Sequence, residues 1–265
     1  MGLQRKFFGK ETGNFQFSHA NQRSFFTAIR RVRKNIQQVT TIFSPACGFT
    51  SRILSVSEDS IELRPRHFVL PTDLAEMTIE RSNGAADGGI AENDGQAIAI
   101  FNADCPVTAI FDKEHSRLGV LHTGFRSLVP ENPVEPNIIE ALFAHHGFIS
   151  GDVEAFLGFG IGPCCYGAEH FSEVQRGTVI RSNGDEVSLP LAKAIRGPRK
   201  GQTAVDLYTL IRSELLRLGV HGDQIMINKA CTACAGRERG GAGLYYSNTW
   251  EGKATGRNAV LVWFT

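Results

Sequence analysis

Two short apolar runs, residues 107–111 and 118–121, flank the polar, turn-prone stretch 112–117. That pattern predicts a β-hairpin. Cys105 precedes the first run and His122 follows the second, so closing the hairpin brings the thiol and the imidazole to the same end. Over residues 18–36, Phe25, Phe26, Ile29, Val32 and Ile36 recur near helical spacing, with Arg23, Arg30, Arg31, Arg33 and Lys34 between them. This is an apolar stripe under a solvated basic face. Residues 40–80 read as short strands and turns. Asn83-Gly84 and Gly88-Gly89 mark a loop before a strand at 97–101. A helix is predicted at about 133–146, with Ile138, Ile139, Leu142 and Phe143 on one face, His145 and His146 in its last turn and Gly147 as its stop. A strand at 155–158 leads into a glycine-rich loop. Residues 204–218 form an amphipathic helix stopped by Gly219, and strands at 224–228 and 259–264 complete the pattern. Interleaved strands and helices with hairpins among them predict an α/β fold of mixed sheets flanked by helices in a single domain over 1–265.

Composition narrows the functional classes. The 265 residues are 42% hydrophobic, enough for a sizeable core, and the net charge of +1 does not favour nucleic acid as a partner. No apolar run approaches the roughly 18–20 residues that span a bilayer, and the first sixteen residues lack a signal-peptide core, so a cytoplasmic location is expected. In such a chain the six cysteines point to metal binding or catalysis rather than disulfides. Cys47 has no partner motif and reads as a buried, inert thiol. Cys231 and Cys234 have zinc-knuckle spacing, but no second pair is evident to complete a structural site. Cys164 and Cys165 are adjacent, and side chains that alternate in direction would let at most one face a site.

A cysteine and a histidine side by side are either part of a zinc site or a nucleophile with its base. The surrounding motifs bear on that choice. They are Asn102-Ala103-Asp104-Cys105-Pro106-Val107, Leu121-His122-Thr123-Gly124-Phe125-Arg126, Gly160-Ile161-Gly162-Pro163-Cys164-Cys165-Tyr166, Cys231-Thr232-Ala233-Cys234 and Thr255-Gly256-Arg257. In this order, from about residue 85 onward, they resemble the multicopper polyphenol oxidase or laccase-domain family, members of which are zinc-dependent purine nucleoside phosphorylases. The chain departs from the family at several points. Asp73 stands where a metal-binding histidine is expected, with Thr72 and Leu74 as its neighbours and His67 six positions away. Phe125 replaces a tryptophan and Ser127 a glycine. Residues 1–80 show no match, and 1–40 can be set apart as a divergent extension.

The resemblance implies a sandwich-like fold similar to the toxin deamidases, and zinc held by Cys105, His122 and Asp73. It implies phosphorolysis of adenosine- or inosine-type purine nucleosides, with Asp104, Cys105, His122 and Arg126 at the reaction centre. Arg126 and Arg257 would clamp phosphate, since a guanidinium fork suits its geometry. Asp104 would orient His122 or a metal-bound water, or else cap backbone, and Cys164 would line the substrate pocket. The partners are then a purine nucleoside and phosphate. A cysteine hydrolase or deamidase is the alternative, with Cys105 as nucleophile, His122 as base and the 158–162 loop as oxyanion donor. A third reading is a non-catalytic descendant that binds a purine or a partner. Copper oxidase chemistry needs a His-Cys-His signature and many histidine ligands, which eight scattered histidines do not provide.

Overall fold

The computed structural model describes residues 3–12, 14–15, 22–33, 36, 38–47, 52–55, 60–62, 78–237, 241–252 and 255–264. Two six-stranded mixed sheets organise the chain. The first runs in the order β1 (Leu3–Phe8), β16 (Asn258–Phe264), β7 (Gln96–Asn102), β2 (Thr41–Ala46), β5 (Thr78–Ala85) and β4 (Ser60–Glu62). The second runs β15 (Ile225–Ile227), β10 (Val153–Gly158), β8 (Val107–Asp112), β9 (Arg117–His122), β6 (Gly88–Ala91) and β3 (Ile53–Ser55). Two small antiparallel pairs, β11 (Thr178–Ile180) with β12 (Glu186–Ser188) and β13 (Leu191–Lys193) with β14 (Thr203–Val205), are additional to these.

The side-chain alternation of the strands explains how the layers stack. Ile98 and Ile100 of β7, Val260 and Val262 of β16, Val107, Ala109 and Phe111 of β8 and Leu118 and Val120 of β9 share one buried cluster between the sheets. The intervening residues face outward. Ala97, Ala99, Leu261 and Trp263 pack with Ala28, Ile29 and Val32 of α1 (Gln22–Arg33). Ile110, Leu121, Ala155 and Leu157 pack with residues of α2 (Phe125–Leu128), α3 (Ile138–His146) and α5 (Leu207–Arg217). The layers are therefore helix, sheet, sheet, helix. Both faces of each central strand are covered, which is why the strands read as unbroken apolar runs rather than alternating ones.

Most predicted elements appear with shifted ends: the helices are shorter than expected and most of the strands a residue or two longer. The hairpin pairs Val107 with His122 and Asp112 with Arg117. The helix expected from 133 begins at Ile138, because Asn137 caps it: its side chain accepts from the Ile139 and Glu140 backbone N–H groups while Glu140 caps back. Asp206 similarly delays α5, accepting from Tyr208 and Thr209. Residues 204–205, expected as the start of this helix, belong to β14 instead.

The loop expected around Asn83-Gly84 and Gly88-Gly89 is wrong. Residues 83–84 lie inside β5, and β6 begins at Gly88 and is fully buried. These glycines serve close packing rather than a turn. A Cβ on Gly88 would lie 2.7 Å from a Leu121 methyl, and one on Gly89 would lie 3.0 Å from the Phe43 ring. The polar N-terminal stretch also supplies β1, an edge strand paired along its whole length with β16. Among the described residues no helix is long and apolar enough to cross a membrane.

Candidate active site

The hairpin places Cys105 and His122 at one end of the second sheet, and Cys105 hydrogen-bonds the His122 side chain. His122 is held from behind. Its Nδ1 lies 2.9 Å from Asp87 Oδ1, and its backbone N–H donates to the Asp87 carbonyl at 2.7 Å. Asp87 is fully buried in the two-residue connection, Ala86-Asp87, before β6, so a single residue fixes both the main chain and the ring of the histidine. The arrangement assigns the Nδ1 proton to the Asp87 side and turns the other ring nitrogen toward Cys105.

Cys47 completes the cluster. Its sulfur, the Asp87 carboxylate and a His122 ring nitrogen all lie within 4.8 Å of one another. It follows β2 of the opposite sheet, so the site spans the end of the sandwich. Read from sequence as an isolated thiol, Cys47 instead lies against the imidazole. Burial pushes the Cys47 thiol up, opposed by His122 and reinforced by Asp87 and Cys105. For His122, burial alone lowers the pKa. The neighbouring Cys47 and Cys105 sulfurs and the Asp87 carboxylate outweigh it and hold the imidazole well above its ordinary value.

Asp104 does not orient His122. Its carboxylate accepts from Thr232 Oγ1 at 2.9 Å and from the Thr249 N–H of α6 (Asn248–Glu251) at 2.6 Å. Burial raises its pKa, and these donors together with Ser247 oppose that. Asp104 has φ +95°, a conformation few non-glycine residues adopt, and it is held there by these bonds and by Ile161 N–H donating to its carbonyl at 2.6 Å. The contact with backbone, the alternative expected for Asp104, is the one it makes, and the carboxylate on the His122 ring is that of Asp87.

Arg126 of α2 pairs with Glu173 of α4 (Ser172–Arg176) at 2.7 Å, and its guanidinium lies 4.6 Å above the Phe171 ring. The same neighbourhood contains Tyr166, whose phenol is pushed up by burial and by Cys105 against the opposing Arg199 and Arg126. His170 is also close, pushed down by burial and by the same two arginines. Arg199, which no sequence motif marks, thus acts with Arg126 on both of these side chains, and its guanidinium donates to the Gly167 carbonyl. The Arg257 guanidinium donates to the Thr255 and Gly256 carbonyls at 3.3 and 3.2 Å. Asp73 and His67 lie outside the described residues.

Cys164 is grouped with three other cysteines. Its sulfur lies 3.8 Å from that of Cys165 and 3.8 Å from that of Cys234. The expectation that adjacent cysteines diverge fails because residues 163–165 form a turn, closed by Cys165 and Tyr166 N–H groups on the Gly162 carbonyl, rather than a strand. The second pair thought absent for Cys231 and Cys234 is Cys164 and Cys165.

A sequence profile of the family described as "Multi-copper polyphenol oxidoreductase laccase" matches residues 50–265. The chain belongs to this family. Within its sequence neighbourhood, a purine nucleoside phosphorylase of Xylella fastidiosa strain Temecula1 is 27% identical over 195 residues, covering 74% of this chain and 65% of that protein. Purine nucleoside phosphorylase YlmD of Geobacillus stearothermophilus is 26% identical over 192 residues, covering 69% and 65%. The matched stretch thus spans just under two thirds of these relatives' own length. The crystal structure of Bacillus licheniformis hypothetical protein YfiH superposes with a TM-score of 0.70 at 19% identity, covering 99% of this chain and 93% of that one. YlmD from Geobacillus stearothermophilus superposes at 0.66 with 20% identity, covering 98% and 90%. These likenesses establish the mixed α/β fold of the family as the fold of this chain. Two groups among the described residues have the donors for a metal ion, one of four cysteines and one of Cys47, Asp87 and His122.

Proposed function

We propose that the protein catalyses phosphorolysis of adenosine- or inosine-type purine nucleosides, with Cys105, His122 and Asp87 at the centre of the site. The observation that carries this reading is the convergence of Cys105 on an imidazole anchored by a buried carboxylate, in a chain whose relatives are named purine nucleoside phosphorylases. The donors grouped closely enough for a zinc ion are Cys47, Asp87 and His122, with the Cys105 sulfur beside the same imidazole. Asp73 is the further ligand that the family pattern offers. When bound, zinc supplies Lewis acidity for the negative charge that builds on the departing purine.

The chain's own groups do the rest. A phosphate oxygen attacks C1′ as the bond from C1′ to the purine nitrogen breaks, and the electron pair leaves with the base. Arg126 and Arg199 supply positive charge for the phosphate, and Phe171 and Glu173 fix the Arg126 guanidinium in direction. Thr232, Thr249 and Ile161 hold the Asp104 turn, so Cys105 is presented without a search through loop conformations.

The hydrolase reading meets an obstacle at its oxyanion donors. In the 158–162 loop, Gly160 N–H donates to Tyr208 Oη at 2.9 Å and Ile161 N–H to the Asp104 carbonyl at 2.6 Å. Gly162 N–H is directed at the Cys231 sulfur. Each is committed within the protein, which favours phosphorolysis.

The test is incubation of inosine with the purified chain, with and without phosphate. Hypoxanthine and ribose 1-phosphate formed only when phosphate is present supports the reading; release of base without phosphate, or none at all with zinc supplied, overturns it. Two variants refine it. Asp87→Asn keeps the shape but weakens the hold on the His122 ring, and is expected to lower zinc affinity at this site about 10–100-fold by chelator competition. Arg126→Ala removes charge-assisted hydrogen bonds of about 1.5–3 kcal/mol. It should raise the KM for phosphate roughly 10–100-fold while leaving the KM for the nucleoside nearly unchanged.

A further inference from the structure

The four remaining clustered cysteines are not explained by phosphorolysis. Cys164 and Cys165 lie on the turn after Pro163, and Cys231 and Cys234 lie four positions from end to end on a second turn, in which Ala235 N–H donates to the Cys231 carbonyl at 3.0 Å. All four sulfurs fall within 4.8 Å of one another. The Cys164 sulfur is 3.8 Å from those of both Cys165 and Cys234. In a tetrahedral site with zinc–sulfur bonds of about 2.3 Å, neighbouring sulfurs stand about 3.8 Å apart, since a tetrahedron's edge is ~1.63 times its centre-to-corner distance.

We infer that Cys164, Cys165, Cys231 and Cys234 form a structural tetrathiolate zinc site. On binding, each thiol releases a proton to solvent as its sulfur bonds the ion, leaving a centre of net charge −2. The surroundings suit that charge. The Cys231 sulfur accepts from the Gly162 and Cys234 N–H groups, and Arg196 Nη1 lies 3.9 Å from the Cys234 sulfur. Cys165, Cys231 and Cys234 are buried, and four protein ligands leave no position for substrate, which marks a closed, non-catalytic site.

Its place in the fold says what it does. The chain between the hairpin and the cysteines is stitched together: Gly160 bridges to Cys231, and Thr232 N–H donates to the Gly160 carbonyl at 3.0 Å. Thr232 Oγ1 and Ile161 N–H both bind Asp104. A Cβ on Gly160 would lie 2.5 Å from Pro106 Cα, so this loop is seated directly on the residue after Cys105. The zinc clamp therefore ties together the two loops that shape the Cys105 turn. It stands independently of the nucleoside reading, because it concerns a different set of ligands and a different readout.

The test uses the full chain carrying Cys105→Ser and His122→Ala, which breaks the first donor set. Elemental analysis and zinc X-ray absorption are then recorded on the reduced, purified protein. The expected result is about one zinc per chain in a shell of four sulfurs at about 2.3 Å. Adding Cys231→Ser and Cys234→Ser should bring it to about a tenth or less. No zinc, zinc with nitrogen or oxygen ligands, iron in its place, or a disulfide among the four cysteines found by mass spectrometry would each overturn the assignment. Should the variants fail to fold, the unaltered chain is titrated with a thiol-specific mercurial. Zinc released in step with modification of these four cysteines supports the site; their modification without zinc release overturns it.

Discussion

Cys105→Ser and His122→Asn are each expected to cut phosphate-dependent purine release at least about 10³-fold, within the range for losing a positioned proton-transfer or metal-binding group. Cys105→Ser nearly conserves volume, so its thermal midpoint should move little, whereas His122→Asn also leaves the buried Asp87 carboxylate without its imidazole and should lower the midpoint. Cys105 is only part-buried, and the hairpin register that positions it, Val107 opposite His122, is set by backbone pairing rather than by the sulfur. The double variant discriminates further. The sulfur is hydrogen-bonded to the imidazole and both act on Cys47, so the two residues form one unit. The combined loss should then barely exceed either single loss, as for groups that act together. Additive losses, or either single variant retaining a tenth of the activity, would show that the contact is structural and that the reacting groups lie elsewhere.

The readable part of this site was the part built from consecutive chain. Two buried runs and a polar turn are enough to bring residues 105 and 122 together, because a hairpin needs no information beyond its own segment. Asp87 and Cys47 escaped because they reach the site through sheet pairing and sandwich packing. Asp87 is one residue before Gly88-Gly89, a dipeptide that reads as a turn; only the Leu121 and Phe43 side chains pressing on that backbone make glycine the strand residue there. Cys47 belongs to the opposite sheet, and nothing within its own segment indicates that the two sheets meet at His122. Strand β1 was missed for a related reason. As an edge strand it has a ladder on one side only, and Gln4, Arg5 and Lys6 give it a polar composition. The cysteine quartet was half-visible. The spacing of Cys231 and Cys234 was legible, but the partner pair becomes available only when residues 163–165 turn rather than extend.

Glu214→Ala is expected to lower stability by about 3–5 kcal/mol, the usual penalty for stranding a buried charge. Glu214 of α5 is 2% exposed and pairs with Arg181, 4% exposed, at 2.6 Å. It also accepts from Asn137 Nδ2 at 2.8 Å and Arg217 Nη2 at 3.0 Å. One carboxylate thus neutralises a buried guanidinium and joins the cap of α3 to α5. At about 2–4 °C per kcal/mol for a chain of this size, the thermal midpoint should fall by roughly 10 °C. Burial holds the Arg181 pKa below its ordinary value, but an arginine so shifted still carries its charge at neutral pH, so deprotonation offers no escape. The control is Arg181→Met with Glu214→Leu, which removes both charges and fills the space. It should recover most of the loss, since apolar replacement of a buried pair is often near neutral. The single variant could be mild only if Arg181 found other support, and the candidates among the described residues are the Glu140 carboxylate, which already acts on it, and the Leu128 carbonyl at 3.2 Å, which it already binds through Nη1. A fall of less than about 1 kcal/mol, read from chemical denaturation, would mean that these groups and local water suffice. It would also mean that the contact with the end of α2, the helix that carries Arg126, holds without the acid.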